Sequence, residues 1–205
     1  MDIKNIQNKL ESLASFFEGD IMIDNSIRLI YATDASAYRE LPVAVVYPKN
    51  KSDIISLIRF ANENKTSIIP RTAGTSLAGQ VVGNGIVADV SKYMTRILEI
   101  NKEEMWVRVE PGVILDELNI ELKKQDIFFG PETSTSNRCM MGGMVGNNAC
   151  GSHSLIYGST RDHTLSVETI LSDGSEVVFE KINEDDFYEK TKLNSLEGNI
   201  YRVTH

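Results

Sequence analysis

The chain has 205 residues, 41% hydrophobic and 24% charged, the make-up of a well-packed globular protein of one large domain or two small lobes. Its formal net charge of −8 argues against a nucleic-acid partner, which normally calls for a basic face; bound phosphates would have to be held by backbone dipoles and a few local cations. The two cysteines, Cys139 and Cys150, lack both metal-ligand spacing and the density of a disulfide framework, so no zinc or iron–sulfur site is expected within this chain. No signal sequence follows Met1 and no apolar run nears the ~20 residues of a membrane span, which points to a reducing, cytoplasmic setting.

Residues 3–17 carry Ile6, Leu10, Leu13, Phe16 and Phe17 at helical spacing, with Gly19 closing the helix. Residues 27–31 suggest a short strand and 32–41 irregular chain. Residues 43–47 are a buried strand ended by Pro48. A helix over about 54–64 follows, with Ser52 or Asp53 as its cap. Residues 67–70 form a second strand, running into Pro70-Arg-Thr-Ala-Gly-Thr-Ser-Leu-Ala-Gly-Gln80, and residues 85–90 a third. This β-α-β-loop-β order implies a small, partly parallel sheet. Gly83-Asn-Gly-Ile-Val-Ala88 matches the GxGxxA pattern, but the residues after it read as a strand where a dinucleotide fingerprint requires a helix. It is therefore read as a turn.

Beyond residue 91 the texture changes. Residues 97–100, 105–110, 165–171 and 176–180 have the pattern of an antiparallel sheet. Asn101-Lys-Glu-Glu104 and Ser172-Asp-Gly-Ser175 serve as turns. Residues 113–125 form a helix with Leu115, Leu118 and Leu122 inward. Residues 129–162 show little regular patterning, and a stretch that long in a compact domain is usually functional or disordered. Its interleaved Met141, Met144, Val145, Leu155 and Ile156 argue for packed order. Residues 181–205 are polar and mixed in sign, with no closing strand or glycine cap.

Two glycine-rich segments carry the chemistry. The first, residues 70–80, lacks the Gly-Lys-Ser/Thr of a Walker-type loop. Its N–H groups from Ala73 to Leu77, with the Thr75 and Ser76 hydroxyls, still suit a pyrophosphate. The second is Met141-Gly-Gly-Met-Val-Gly-Asn-Asn-Ala-Cys-Gly151. Two such segments suggest a long ligand held at both a phosphate and a ring system. Cys139 and Cys150 read as small buried packing residues, and Trp106 as core or lobe interface. His153 follows the second segment and could stand near a ligand. With no partner carboxylate to place beside it, a structural hydrogen bond is the preferred reading. His163 is read as structural, at the start of a strand.

Val109-Glu-Pro-Gly-Val113, the Pro-Arg-Thr-Ala-Gly-Thr-Ser loop, Gly142-Gly143, Asn148-Ala149, Tyr157-Gly-Ser-Thr-Arg-Asp162 and Leu171-Ser-Asp-Gly174 occur in a fixed order. That ordered set resembles the FAD-binding domain of vanillyl-alcohol-oxidase/p-cresol-methylhydroxylase-type flavoproteins. Within them it is most similar to the branch of D-lactate dehydrogenase, D-2-hydroxyglutarate dehydrogenase and the D chain of glycolate oxidase. The resemblance implies an α+β, two-lobed fold with FAD extended between a small parallel β-α-β lobe (35–90) and a lobe with an antiparallel sheet (91–180). Residues 1–34 would be an N-terminal segment and 181–205 the start of a following region, making the chain a fragment.

By the same resemblance, Arg71, Thr72, Ala73, Gly74, Thr75, Ser76 and Leu77 cradle the pyrophosphate. Pro131, Thr133, Ser134, Thr135, Gly142 and Gly143 lie along the ribityl and isoalloxazine portion. Asn147, Asn148 and Gly151 belong to the segment covering flavin and pyrophosphate, and the backbone near Ile170 meets adenine. Thr75 stands where covalently flavinylated relatives place a histidine, so FAD is expected to be non-covalent. The implied reaction is oxidation of a D-2-hydroxy acid such as lactate, glycolate or 2-hydroxyglutarate, with hydride transfer to flavin N5; no catalytic base is identified. The implied partners are a C-terminal substrate domain and an iron–sulfur domain or other electron acceptor. Two alternatives stay open: another flavoenzyme, such as one of the UDP-N-acetylenolpyruvoylglucosamine reductase type, or a non-catalytic flavin-binding module.

Overall fold

The structure is a computed structural model and describes residues 3–204. The first lobe is a four-stranded sheet in the order β1-β2-β4-β3. Strands β2 (Ala44–Tyr47) and β3 (Ile68–Arg71) run parallel to β4 (Ile86–Asp89), while β1 (Asp20–Met22) is antiparallel to β2. Ala44, Val45, Val46, Ile86 and Val87 are fully buried, as strands covered on both faces must be. This is why both read from the sequence as continuous apolar runs, and why the GxGxxA match is the turn that leads into β4. Helix α1 (Ile3–Leu13) sets Ile6 and Leu10 against Val43, Ala44, Leu57 and Ile86, and Gln7 Nε2 donates to Val43 O at 2.8 Å.

Helix α3 (Lys51–Asn64) starts earlier than its apolar pattern implied. Its cap is Asn50, whose side chain accepts from Asp53 N at 3.0 Å. Neither Ser52 nor Asp53 caps it. The Asp53 carboxylate, 1% exposed, instead accepts from the N–H groups of Glu18, Gly19 and Lys49 at 2.9, 3.0 and 2.8 Å. Three donors offset the cost of burying a carboxylate. Residues 27–31 are not a strand either. Asp24 caps helix α2 (Asn25–Ile30) by accepting from Ile27 N at 3.2 Å, and this local signal outweighs the strand propensity of Ile-Arg-Leu-Ile-Tyr.

In the second lobe the four expected strands form two separate antiparallel hairpins rather than one sheet. These are β5 (Ile97–Asn101) with β6 (Trp106–Val109), and β7 (Ser166–Ile170) with β8 (Glu176–Glu180). Helix α4 (Leu115–Lys123) buries Leu115, Leu118 and Leu122 in a core shared with Cys139, Met141 and Met144. The stretch expected to be irregular is partly helical: α5 (Met141–Asn147), α6 (Ser154–Tyr157) and a 3-10 turn at Thr160–His163. Met141 and Met144 pack inward, but Val145, Leu155 and Ile156 are exposed, and so is Cys150. His163 ends the 3-10 turn and begins no strand. Trp106 is half-buried and donates from Nε1 to Glu104 Oε2 at 2.7 Å.

Residues 184–204 add α7 (Glu184–Thr191) and α8 (Leu196–Thr204), which the sequence pattern had not suggested. Tyr201 of α8 is buried against Phe179 and Phe187, with ring centroids 6.1 and 5.4 Å away. Three acidic residues in the first turn of α7 complement its dipole. Among the described residues no helix is long and apolar enough to cross a membrane.

Two of the seams between the lobes bear on the site. In one, Lys51 Nζ at the start of α3 lies 3.0 Å from carboxylate oxygens of both Glu168 and Glu176, and Asn62 Nδ2 donates to Ser172 O at 2.6 Å. In the other, the two glycine-rich segments meet.

Candidate cofactor site

Strand β3 ends at Arg71 and delivers the first loop. Gly74 adopts φ +65°, a region side-chain-bearing residues rarely enter, and a Cβ there would also stand 2.6 Å from Arg71 Nη2. The loop is tied from behind, where Gly74 O accepts from Ala35 N at 3.2 Å. The Arg71 guanidinium stacks on the Tyr31 ring at 4.9 Å and donates from Nη1 to Thr33 O at 3.0 Å and Tyr31 O at 3.4 Å. Tyr31 in turn donates to Asp89 Oδ2 at 2.5 Å. Burial first, and this hydrogen bond second, push the Tyr31 phenol far above its ordinary value, so it remains a donor.

The front of the loop is different. Among the described residues, the main-chain N–H groups of 73–77 have no protein acceptor. The Ser76 hydroxyl is buried without a hydrogen-bond partner, while Leu77 is 80% exposed. Five consecutive free donors beside an unpaired hydroxyl are the kind of donor set from which an anion-binding nest is built.

The second segment closes against the first. Helix α5 has no side-chain cap bond at its start, and Gly142 N donates to Pro111 O at 2.8 Å. A Cβ on Gly143 would stand 2.6 Å from Thr72 Oγ1, so the bare glycine lets the two segments touch. Asn147 Oδ1, at the end of α5, accepts from Gln80 Nε2 at 2.8 Å. Asn148 takes the left-handed conformation at φ 46° and accepts from Arg161 N at 2.9 Å, which fixes the exit of α5 to the 3-10 turn.

The segment at 131–135 is held from below. Pro131 is buried, Thr133 Oγ1 lies 3.1 Å from Thr135 Oγ1 and donates to Cys139 Sγ at 3.3 Å, and Ser134 is exposed. Gly151 crosses this segment so closely that a Cβ would meet Glu132 O at 2.0 Å. The structure thus brings Thr72 against Gly143, Gln80 against Asn147, and Gly151 against Glu132. Ile170 lies on β7, paired with Glu176 across a hairpin that packs on α3.

The sequence reading missed several neighbours of these residues. His153 has the carboxylate that could not be placed from the sequence: its Nδ1 is 2.5 Å from Glu132 Oε1, which also accepts from Ser152 Oγ at 3.1 Å. Gln80 closes the first loop on the second segment, and Tyr31 and Asp89 sit behind Arg71. Only Gln80, at the end of the loop motif, carried a signal in the sequence. A groove of about 760 Å³ between β5 and α4, lined by Leu98, Glu117 and Ile120 among others, shares no residue with either glycine-rich segment.

Gly143→Val is expected to reduce flavin binding without unfolding the chain. The branched side chain displaces Thr72, yet Gly143 is exposed and the clash is with a side-chain hydroxyl, not with backbone. A folded variant with the cofactor content of the parent, read from its visible spectrum, would contradict this geometry.

The donor set suits a dinucleotide: free amides and a hydroxyl for a diphosphate, beside helix α5, where the space next to Gly146 is open. Comparison with known proteins agrees. The chain is 43% identical over 184 residues to D-2-hydroxyglutarate dehydrogenase of Haemophilus influenzae, covering 88% of this chain and 18% of that protein. It is 33% identical over 153 residues to the glycolate oxidase subunit GlcD of Bacillus subtilis, covering 73% and 32%. The chain therefore spans about a fifth to a third of these relatives. The fold matches 6-hydroxy-D-nicotine oxidase from Arthrobacter nicotinovorans with a TM-score of 0.71 at 21% identity, over 84% of this chain and 38% of that one. The FAD binding domain family matches residues 42–180, the span that holds both glycine-rich segments and both seams, and the chain belongs to that family.

Proposed function

We propose that this chain is the FAD-holding part of a flavoenzyme that oxidises a D-2-hydroxy acid, the class that includes 2-hydroxyglutarate, lactate and glycolate. The observation that carries this reading is the run of free N–H groups at 73–77 beside the unpaired Ser76 hydroxyl, facing a second glycine-rich segment. The names of the relatives support the substrate class.

In this reading the backbone of 73–77 holds the diphosphate, with charge neutralised by amide dipoles. Residues 131–135 with Gly142 and Gly143 orient the ring, while Asn147, Asn148 and Gly151 close over it. Bound flavin supplies a two-electron acceptor; the chain's own part is to hold and orient it. A further domain supplies the groups that bind the hydroxy acid, and an iron–sulfur domain or another acceptor takes the electrons, in a cytoplasmic enzyme.

The test is cofactor choice. FAD should bind at least about ten-fold more tightly than FMN, because a second phosphate adds charge-assisted hydrogen bonds. Comparable affinity would remove the diphosphate assignment. Acid precipitation should release the flavin into the supernatant, since Thr75 cannot form a histidyl link; flavin pelleting with the protein would refute non-covalent binding.

A further inference from the structure

The sequence resemblance treats Arg71 as one more residue of the pyrophosphate cradle. Its side chain also has protein partners of its own. Among the described residues, the guanidinium's hydrogen bonds run from Nη1 to Tyr31 O and Thr33 O, and its Cζ lies over the Tyr31 ring. Its Nη2, Cζ and Nε fill the space where a Cβ of Gly74 would lie, at 2.6, 2.9 and 3.0 Å. The guanidinium therefore fills the space beneath Gly74, on the side where that residue's Cβ would stand. It is itself clamped. Tyr31 is anchored to Asp89, a residue 3% exposed whose other carboxylate oxygen accepts from Ser91 N at 2.7 Å. Asp89 is the register partner of Arg71 across β3 and β4, and Val90 N donates to Arg71 O at 3.0 Å.

The geometry points to Tyr31 and Asp89 as positioning residues that hold the Arg71 guanidinium beneath the first loop, so that Arg71 supports the bound diphosphate from behind instead of touching it. This rests on the FAD reading above and adds to it. Tyr31 lies upstream of the matched span 42–180, so part of what shapes the cradle comes from outside the domain. Two physical consequences follow. The flat guanidinium matters more than the charge alone, because a lysine ammonium could reach the two carbonyls from one nitrogen but has no planar group to fill the space beneath Gly74 or to cover the Tyr31 ring. Loss of the Tyr31 hydroxyl loosens the loop while leaving the aromatic stack in place.

The experiment measures FAD affinity by flavin fluorescence in the parent, Arg71→Lys, Arg71→Met and Tyr31→Phe. Each is held well below its own melting temperature, and the cofactor-free melting temperature is recorded beside it. Arg71→Lys should lose as much affinity as Arg71→Met, about ten-fold or more. Tyr31→Phe should lose about three- to ten-fold. Arg71→Lys keeping affinity within about three-fold of the parent while Arg71→Met loses it would indicate direct charge contact and overturn the inference. Lowered melting temperatures with parental affinity in the folded variants would show a role in stability alone and overturn it equally. A parent chain that binds no FAD at all would defeat the flavin reading itself, a result distinct from either.

Discussion

Loaded with FAD, the 205-residue chain is expected to be bleached by D-2-hydroxyglutarate, D-lactate or glycolate under anaerobic conditions at least about a thousand-fold more slowly than an intact relative such as the Haemophilus influenzae enzyme. The chain covers 18% of that protein, and its own site offers little to a substrate. Among the described site residues, a carboxylate and an imidazole stand beside the second segment, Glu132 and His153. They are hydrogen-bonded to each other, with side chains 43% and 57% exposed. The surrounding surface is open to water: Leu155 is fully exposed and Ile156 is 76% exposed. Positioning of reactants can lower an enzymic barrier by about 7–11 kcal/mol, and aimed dipoles act most strongly where water is excluded. Both require walls that these residues do not provide. Rapid bleaching would show instead that the active site is complete here. The Glu132–His153 pair would then be the first to substitute, with His153→Gln and Glu132→Gln compared for their pH profiles.

A second large effect is expected at Gly151. A methyl group there overlaps the Glu132 carbonyl at 2.0 Å, and backbone cannot swing aside as a side chain can. Gly151→Ala should lower stability by about 3 kcal/mol, roughly 6–12 °C in melting temperature, and should separate the second segment from residues 131–133, with loss of bound flavin. Gly146→Ala is the control. That glycine lies within α5 and its added methyl meets nothing within 4 Å, so the helix should gain about 0.5–1 kcal/mol. Equal melting temperatures for the two variants would show that the Gly151 crossing is not a tight contact. If Gly146→Ala binds less flavin while melting higher, the open space above α5 is cofactor space.

The elements that were legible share a cause. Strands β2 and β4 and helix α3 are written in runs of apolar residues whose period and punctuation depend only on neighbours in the chain. Boundaries shifted where a side chain reached outside its own element, as with Asp53, which serves three N–H groups from two segments while Asn50 caps the helix. Helix α5 was not legible, because Met-Gly-Gly-Met-Val-Gly-Asn is a poor helix former on propensity alone. It forms where Met141 and Met144 enter the core with Leu118 and Leu122, and where its glycines allow contact with Pro111 and Thr72. Helices α7 and α8 escaped notice for a related reason: their packing depends on Tyr201 meeting Phe179 and Phe187.

The same division runs through the site. The chain by itself determined that two glycine-rich segments would exist, that the first would follow a strand and present free amides, and that the ordered motifs resemble an FAD-binding domain. These are local properties: small residues, turn chemistry and sequence order. Only the tertiary structure decided what those segments touch. Thr72 meets Gly143, Gln80 meets Asn147 across 67 residues, His153 finds Glu132, and the Arg71 guanidinium turns back to Tyr31 and Thr33 across 40 and 38 residues. A side chain's direction is set by which partners the fold brings within hydrogen-bonding reach, and no period or motif in the chain encodes that.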